Sequence, residues 1–509
     1  MNIPKLCKNE GCPVIVVDGK PMLLFAGEVH NSSASSLAYM EERVWPNVRD
    51  LHCNSLIVPV SWELLEPQPD VFDFSLTDGV ISQARREGVK LVLLWFGLWK
   101  NGNSTYVPDW VKEDRETYFP MQTREGRRVD AVSPLCGAGV ERDAAAFARL
   151  MAHLRDTDSE RTVVMVQVEN EIGLLGDCRD FSPQAEEAYA REIPEEMQRF
   201  AGVSGTWDEA FGEDAPERFM VYSYAKAVER IASAGKKEYP LPLYVNAWLE
   251  QYPWTPGTYP SGGPIAKVME QWKALAPSID LYAPDIYLPD FEAVCGEYTA
   301  HENPLFIPEA RPSMDSASNV FSAFGAYGAL GFSPFAIESV GIGQKKEMAA
   351  DLMNELNIMQ EAFQFYRSGE YLSESYALLQ SIEPLLLEYR GTPEMKGFTQ
   401  CERQMGCVLP FRKYNLKVQY LPHGEDSPKG GGLAIQLSEN EFLICGMNFE
   451  ITPLVKNNDR GRAEVISITE GRYENGEWIP QRRFNGDEFR IQMEQRPGIV
   501  RVRLVRREI

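Results

Sequence analysis

Eight short apolar runs, each followed by a longer segment with helical spacing, constrain the fold of this chain more than any other feature. The runs are rich in β-forming residues and recur from residue 22 to residue 337. Strands that alternate with helices in this way are typical of βα units joined in a parallel sheet. The predicted strands are Met22–Ala26, Ser55–Val60, Lys90–Phe96, Thr162–Val168, Pro242–Trp248, Asp280–Asp285, Leu305–Pro308 and Gly331–Ile337.

The number of runs favours a (β/α)8 TIM barrel, an α/β fold that usually occupies about 250 residues and grows with insertions. A doubly wound sheet is the alternative. It is disfavoured because Gly27-Glu28-Val29-His30 follows the first strand, where a nucleotide-binding sheet would carry a glycine-rich phosphate loop.

The pattern changes after the eighth strand. Two helical stretches, Lys345–Arg367 and Glu374–Tyr389, are predicted to close the barrel, and Gly391-Thr392-Pro393 then marks a break. We expect a catalytic barrel over residues 1–395 and a small C-terminal β-sandwich over residues 396–509. The predicted strands of the sandwich are Gly432–Leu437, Glu441–Gly446, Ala463–Thr469, Phe489–Met493 and Ile499–Leu504, with Asn457-Asn458-Asp459 as one connection.

Charge and composition exclude several classes of function. The chain carries 74 acidic against 51 basic residues, a net charge of −23, which disfavours binding to nucleic acid or to anionic membranes. No apolar stretch reaches the roughly 20 residues that cross a bilayer. The odd number of scattered cysteines, nine, indicates reduced thiols and a cytoplasmic protein without a signal peptide. No P-loop, G-x-S-x-G or H-E-x-x-H motif is present, so we predict no cofactor and no metal.

Two candidate catalytic carboxylates follow strands of the predicted barrel. Glu169-Asn170-Glu171 comes directly after the fourth strand, and Glu309 ends the seventh. Reactive side chains of such barrels lie at the carboxyl ends of the strands. A retaining glycosidase needs two carboxyl groups there, one as nucleophile and one as acid and then base.

Three segments resemble family 35 β-galactosidases, which belong to a clan of retaining glycosidases with catalytic glutamates after strands four and seven. Val166–Glu171 resembles the acid/base motif of the family, and Gly27-Glu28-Val29-His30 resembles its first-strand motif. Trp62–Pro69, followed by Phe72-Asp73-Phe74, is similar to its second-strand motif. The resemblance covers residues 20–340. It implies that Glu171 is the acid/base, that Glu309 is the nucleophile and that Asn170 binds the 2-hydroxyl of the sugar, with Glu169 as the alternative acid/base.

Other side chains at the predicted strand ends are candidates for substrate binding. By the resemblance, Tyr287 hydrogen-bonds the nucleophile. Aromatic rings stack on the apolar faces of sugars, and Trp99 and Trp248 lie near strand ends. The remaining predicted contacts are Glu28, His30 and Asn246.

These observations predict a retaining exo-β-glycosidase, specifically a β-galactosidase, that acts on glycosides or oligosaccharides and forms a homo-oligomer. The third strand ends in Leu98-Trp99-Lys100-Asn101-Gly102, where many family members carry a glutamate-containing loop that binds galactose. A β-glucosidase or a transglycosylase acting on short β-glucans is therefore an alternative. A non-catalytic carbohydrate-binding barrel is a second one.

Overall fold

The computed structural model describes residues 2–9, 11–341, 364–456 and 461–508. A small antiparallel sheet of three strands, β1 (Lys5–Asn9), β2 (Cys12–Val17) and β3 (Lys20–Met22), precedes the barrel. Eight parallel strands then close into a barrel, and a short hairpin is inserted between its third and fourth strands. The barrel strands are β4 (Leu24–Glu28), β5 (Ser55–Ser61), β6 (Lys90–Lys100), β9 (Val163–Asn170), β10 (Leu243–Trp248), β11 (Leu281–Ile286), β12 (Ile307–Ala310) and β13 (Gly331–Pro334), and the hairpin is β7 (Pro120–Gln122) with β8 (Arg128–Val132). Each of the eight predicted runs overlaps one barrel strand, so the predicted fold class is confirmed.

Strand alternation divides the apolar residues of the barrel into two layers. Along β6, Val92, Leu94 and Phe96 pack inside the barrel, whereas Leu93 and Trp95 pack outside it. Successive side chains of a strand point to opposite faces, so a continuous apolar run fills both layers. The longer helices cover the outside: α1 (Ser75–Glu87), α2 (Gly137–Thr157), α3 (Pro183–Tyr189), α4 (Glu195–Ala201), α5 (Ala215–Glu238), α6 (Met269–Leu275), α7 (Phe291–Tyr298), α8 (Ser316–Gly325), α9 (Ser368–Ser381) and α10 (Glu383–Tyr389).

The C-terminal part consists of two antiparallel sheets that pack against each other. The six-stranded sheet has the order β14-β17-β18-β23-β20-β21, and the four-stranded sheet has the order β15-β16-β19-β22. A buried cluster that includes Leu416 of one sheet and Phe442 of the other lies between them. The strands are β14 (Met395–Thr399), β15 (Gly406–Pro410), β16 (Tyr414–Tyr420), β17 (Gly431–Ser438), β18 (Glu441–Met447), β19 (Phe449–Val455), β20 (Arg462–Glu474), β21 (Glu477–Arg483), β22 (Ile491–Met493) and β23 (Gly498–Arg507).

Two sequence predictions lie wholly or mostly outside the described residues. Most of the predicted helix Lys345–Arg367 falls in residues 342–363, and the predicted connection Asn457-Asn458-Asp459 falls in residues 457–460. No helix of the described ranges is long and apolar enough to cross a bilayer.

The barrel and the C-terminal sheets share a hydrophobic core. Phe321 of α8 belongs to the same buried cluster as Leu433 and Cys445 of the six-stranded sheet. Ser318 Oγ donates a hydrogen bond to the Lys429 carbonyl at 2.6 Å. Helix α8, which follows the seventh barrel strand, is therefore packed between the two parts of the chain.

Candidate active site

Four acidic side chains meet at the carboxyl end of the barrel. Glu28 ends β4, Glu171 follows β9, and Asp285 and Glu309 lie on β11 and β12. All four are buried. One carboxylate oxygen from each of Glu171, Asp285 and Glu309 lies within 4.8 Å of the others. The polar side chains at the carboxyl ends of the parallel strands thus lie close together, as expected for this fold.

Glu309 is held by hydrogen bonds at both of its oxygens. The Asn170 amide nitrogen donates to Oε1 at 3.3 Å, and the Tyr287 hydroxyl donates to Oε2 at 2.8 Å. The arrangement fixes the direction of the Glu309 side chain.

Glu171 is anchored through its backbone. Its N–H donates to Asn246 Oδ1 at 2.8 Å. Burial and the negative charge of Glu309 raise the pKa of Glu171 to about 7, against the opposing effects of Lys100 and of a hydrogen bond with Asp285. At neutral pH this carboxyl group therefore exchanges its proton readily.

Asn246, a predicted substrate contact, connects three strand ends within the protein. Its Oδ1 also accepts from Gln167 Nε2 at 2.9 Å, and its Nδ2 donates to Asp285 Oδ2 at 2.7 Å. Burial, followed by the negative charge of Glu309, raises the pKa of Asp285 well above its ordinary value. Asn246 thus positions Glu171 and Asp285 relative to each other.

Lys100 places a cation in this acidic site. It ends β6, is 7% exposed, and donates from Nζ to Asn170 Oδ1 at 2.8 Å. Its positive charge lowers the pKa of Glu28, Glu171 and Asp285, in opposition to burial. Lys100 is therefore a counter-ion of the carboxylate cluster.

Glu28 is fully buried and faces the same cluster. Neither of its carboxylate oxygens has a hydrogen-bond partner in the described parts of the chain. Burial and the charge of Glu309 raise its pKa well above the ordinary value. A buried polar group without a partner is unfavourable, and a ligand that supplies hydroxyl donors would satisfy it.

Glu169 points to a different environment from Glu171. Its Oε2 accepts from the Trp99 backbone N–H at 2.7 Å, and its Oε1 accepts from the Leu98 N–H at 3.2 Å. Burial and the neighbouring charge of Asp143 on α2 raise its pKa well above the ordinary value. Glu169 therefore ties β6 to β9 and α2.

Trp99 is the predicted substrate contact that the structure places elsewhere. Its ring has no exposed surface, and its indole N–H donates to the Val132 carbonyl at 2.8 Å. The ring packs edge-on against Tyr224 of α5, with 5.1 Å between centroids. The prediction was wrong because Trp99 belongs to the core between the barrel and α5.

His30 and Trp248 lie at the edge of the mouth and are half-buried. The His30 ring is 2.8 Å from Ser339 Oγ, and its backbone N–H donates to Glu338 Oε1 at 3.1 Å. Ser33 also donates to that oxygen, at 2.6 Å. Glu338 thus joins the loop after β4 to the segment after β13, next to the site.

Carboxylate oxygens at the spacing of this cluster are also ligands that divalent cations prefer. However, Tyr287 and Asn170 occupy both oxygens of Glu309, and Asn246 occupies one oxygen of Asp285. These contacts suit hydrogen bonding to a sugar better than metal ligation, and we assign no metal to the site.

The sequence did not identify Lys100 or Asp285 as parts of the site. Both lie at the carboxyl ends of predicted strands, which is the signal that could have found them. The sequence predicts Lys100 in a loop that replaces a glutamate, whereas in the structure Lys100 is the last residue of β6 and lies in the barrel mouth.

Comparison with known families and structures defines the class of protein. Residues 41–218 match the family model described as Beta-galactosidase, Glyco_hydro_42, and residues 372–495 match a domain of unknown function, DUF5597. No curated protein matches the chain.

Several solved structures align with the chain at low sequence identity. The β-galactosidase of Bacillus circulans sp. alkalophilus aligns over 94% of this chain and 99% of its own, with 10% identity and a TM-score of 0.50. The cold-adapted β-galactosidase of Rahnella sp. R3 aligns over 72% and 57%, with 15% identity and a TM-score of 0.47. The catalytic domain of a β-amylase from Paenibacillus polymyxa aligns over 62% and 92%, with 12% identity and a TM-score of 0.46. At such identities the likeness to the Bacillus enzyme shows the fold alone.

The chain is a glycoside hydrolase, an enzyme that acts on a carbohydrate. Its barrel carries a β-galactosidase-like domain over residues 41–218, which include Glu171 but not Glu309. The matching model is Glyco_hydro_42, so the comparison gives no support to the assignment to family 35.

Proposed function

We propose that the protein is a retaining exo-β-galactosidase that releases terminal β-galactosyl residues by double displacement. The observation that carries the proposal is the pair of buried carboxyl groups, Glu171 and Glu309, with oxygens within 4.8 Å of each other. Retaining enzymes hold the two groups about 5–5.5 Å apart, whereas inverting enzymes leave about 6.5–9.5 Å for a water molecule. The spacing supports direct attack by a carboxylate.

Glu309 is the proposed nucleophile. The hydrogen bonds from Asn170 and Tyr287 hold its carboxyl group in one orientation. A Glu309 oxygen attacks the anomeric carbon while the bond from that carbon to the leaving oxygen breaks. The product of this step is a glycosyl ester of Glu309.

Glu171 is the proposed acid and then base. With a pKa of about 7, it holds a proton near neutrality and gives it to the leaving oxygen. Formation of the ester removes the negative charge of Glu309, which is one cause of the raised pKa. The pKa of Glu171 then falls, so its carboxylate can take a proton from the water that cleaves the ester.

Two polar side chains in the barrel mouth are proposed to hydrogen-bond the glycone. Asn170 Nδ2 is directed toward Glu309 and is placed to donate to the 2-hydroxyl. The buried carboxyl group of Glu28, whose oxygens have no partner in the described residues, is placed to hydrogen-bond other ring hydroxyls. The galactosyl assignment rests on the family model that matches residues 41–218.

A β-glucosidase or a β-glucan transglycosylase with the same two glutamates is a second candidate. It is favoured by Lys100, which occupies the end of the third barrel strand in place of the glutamate of the resembling family. In either case we propose a cytoplasmic homo-oligomer with its catalytic barrel in residues 1–395 and the β-sandwich in residues 396–509.

The test compares initial rates on an aryl β-galactoside and an aryl β-glucoside at one concentration and neutral pH. We expect a galactoside preference of about a hundredfold, or ~2.7 kcal/mol of transition-state binding. Proton NMR of the first-formed sugar should show the β-anomer, and Glu309→Gln should abolish turnover. A glucoside preference would establish the second candidate. An α-anomer product or an active Glu309→Gln variant would overturn the mechanism.

A further inference from the structure

Lys100 and Asn170 form a buried contact whose chemistry fixes the direction of an amide. The Lys100 ammonium group is only a hydrogen-bond donor, and it lies 2.8 Å from one terminal atom of Asn170. That atom must be the amide oxygen, because an amide nitrogen cannot accept this hydrogen bond. The Asn170 nitrogen is consequently the atom that faces Glu309 Oε1, at 3.3 Å.

The position of Lys100 is itself fixed. It is paired with Asn170 in the strand ladder between β6 and β9, and its backbone N–H donates to the Asn103 carbonyl at 2.8 Å. Its ammonium group lies 5.2 Å from the centre of the Phe96 ring. A buried side chain with these contacts has little freedom to release Asn170.

Without Lys100, the direction of the Asn170 amide would depend on the contact with Glu309 alone, which is long, at 3.3 Å. The flipped amide would aim its oxygen at Glu309, where two acceptors repel each other, and would no longer offer a donor at that point. Hydrogen bonds to the 2-hydroxyl of a sugar strengthen in the transition state of glycoside hydrolysis. The direction of one amide therefore has a direct effect on the rate.

We propose that Lys100 is a positioning residue that orients the Asn170 amide toward the 2-hydroxyl of the glycone. The inference rests on the proposed function and deepens it. It predicts that most of the contribution of Lys100 to turnover passes through a single hydroxyl group of the substrate.

The test uses Lys100→Met with two substrates, an aryl β-galactoside and the same aglycone on 2-deoxy-β-galactose. We expect the variant to lose at least about tenfold more in kcat, relative to wild type, on the parent substrate than on the 2-deoxy substrate. Loss of the lysine charge also changes the pKa of Glu171, but this effect is common to both substrates and cancels in the ratio. An equal loss on both substrates would overturn the proposal.

A double-mutant cycle gives an independent readout. In an Asn170→Ala background, Lys100→Met should cost at least about fivefold less in kcat than it does in wild type, because the amide is absent and only the effect of the lysine charge remains. Additive losses would contradict the proposal. Lys236→Met is the matched control, since Lys236 also makes a partly buried hydrogen bond, to Asp280 at 2.6 Å, but lies at the other end of the barrel strands. It should leave the ratio between the two substrates unchanged.

Two further controls make failures distinguishable. If Lys100→Met does not fold, as judged by its melting temperature, Lys100→Gln keeps a polar group in the buried site and carries the same test. A Gln amide has both a donor and an acceptor, so it does not impose one direction on Asn170. An inactive wild type, or an active Glu309→Gln variant, would refute the proposed function. A wild type that depends on Glu309 but shows no substrate difference at Lys100 would refute this inference alone.

Discussion

At the scale of single residues, the site separates two adjacent glutamates into different roles. Glu169 and Glu171 both have positive φ, +63° and +44°, a backbone region that side chains other than glycine rarely adopt. The change in backbone direction at these two residues turns the Glu169 side chain toward β6 and α2, whereas the Glu171 side chain faces Glu309. Such strained residues persist where the surrounding contacts hold them, and they cluster at functional sites.

The first prediction compares matched substitutions at these two positions. Glu171→Gln should lower kcat/KM on an unactivated galactoside by about 10²-fold or more, since it removes the proton donor. Glu169→Gln should stay within a few fold of wild type, because its amide oxygen can still accept from the Trp99 N–H. Steady-state kinetics measures both. The opposite ranking would move the acid/base to Glu169.

The same pair allows a prediction about stability. The pKa of Glu169 is raised in the folded protein, so its contribution to stability is complete below the unfolded value of about 4.3 and declines as pH rises through the folded value. Glu169→Gln has no such proton to lose. Its melting temperature should therefore fall less than that of wild type as the pH rises above about 4.3, and a parallel decline would contradict the raised pKa.

The pH dependence of catalysis follows from Glu171. The acid must be protonated to assist departure of the aglycone, so kcat/KM on an alkyl galactoside should decline above a pH of about 7. A dinitrophenyl galactoside needs little protonation and should show a weaker decline. If kcat/KM on the alkyl substrate already declines with rising pH below pH 5, the pKa of Glu171 is not raised.

At the scale of elements, helix α8 and strand β14 approach each other with glycines on both sides. A Cβ at Gly397 would lie 2.6 Å from the Ala326 nitrogen, and a Cβ at Gly325 would lie 2.9 Å from the Gly397 Cα. Both clashes are with backbone, which cannot rotate away. The contact joins a barrel helix to the first strand of the C-terminal sheets.

Gly397→Ala should therefore destabilise the protein by about 1–3 kcal/mol, as overpacking does in a well-packed core. The measurement is the denaturant midpoint of unfolding. Gly424→Ala is the control, because a Cβ at Gly424 meets no atom within 4 Å. Equal midpoints for the two variants would show that α8 and β14 are not held at this distance.

At the scale of the whole molecule, the barrel was predictable because each of its strands is a local apolar run. Strand β16, with buried Tyr414, Leu416, Val418 and Tyr420 in alternation, carries an equally clear local signal, although it is not among the predicted strands. The ends of β6 were not predictable in the same way. The ladder shifts register between Trp95 and Lys100, so alternation does not say which of Trp99 and Lys100 enters the mouth.

The catalytic candidates were predictable in position and not in environment. That Glu171 and Glu309 end barrel strands follows from the sequence. The two glutamates differ in their contacts, and these contacts join strands that are far apart in the chain. The residues that make them are Asn170, Tyr287, Asn246 and Lys100. No local pattern specifies such contacts.

The core shared by α8 and the six-stranded sheet has a consequence for how such chains can be recombined. A break in sequence pattern near residue 395 invites the exchange of one C-terminal module for another. Phe321, Leu433 and Cys445 are nevertheless packed in one cluster. The surface of a foreign module would therefore not be complementary to helix α8. The two parts can be inherited together or redesigned together, but they are not interchangeable pieces.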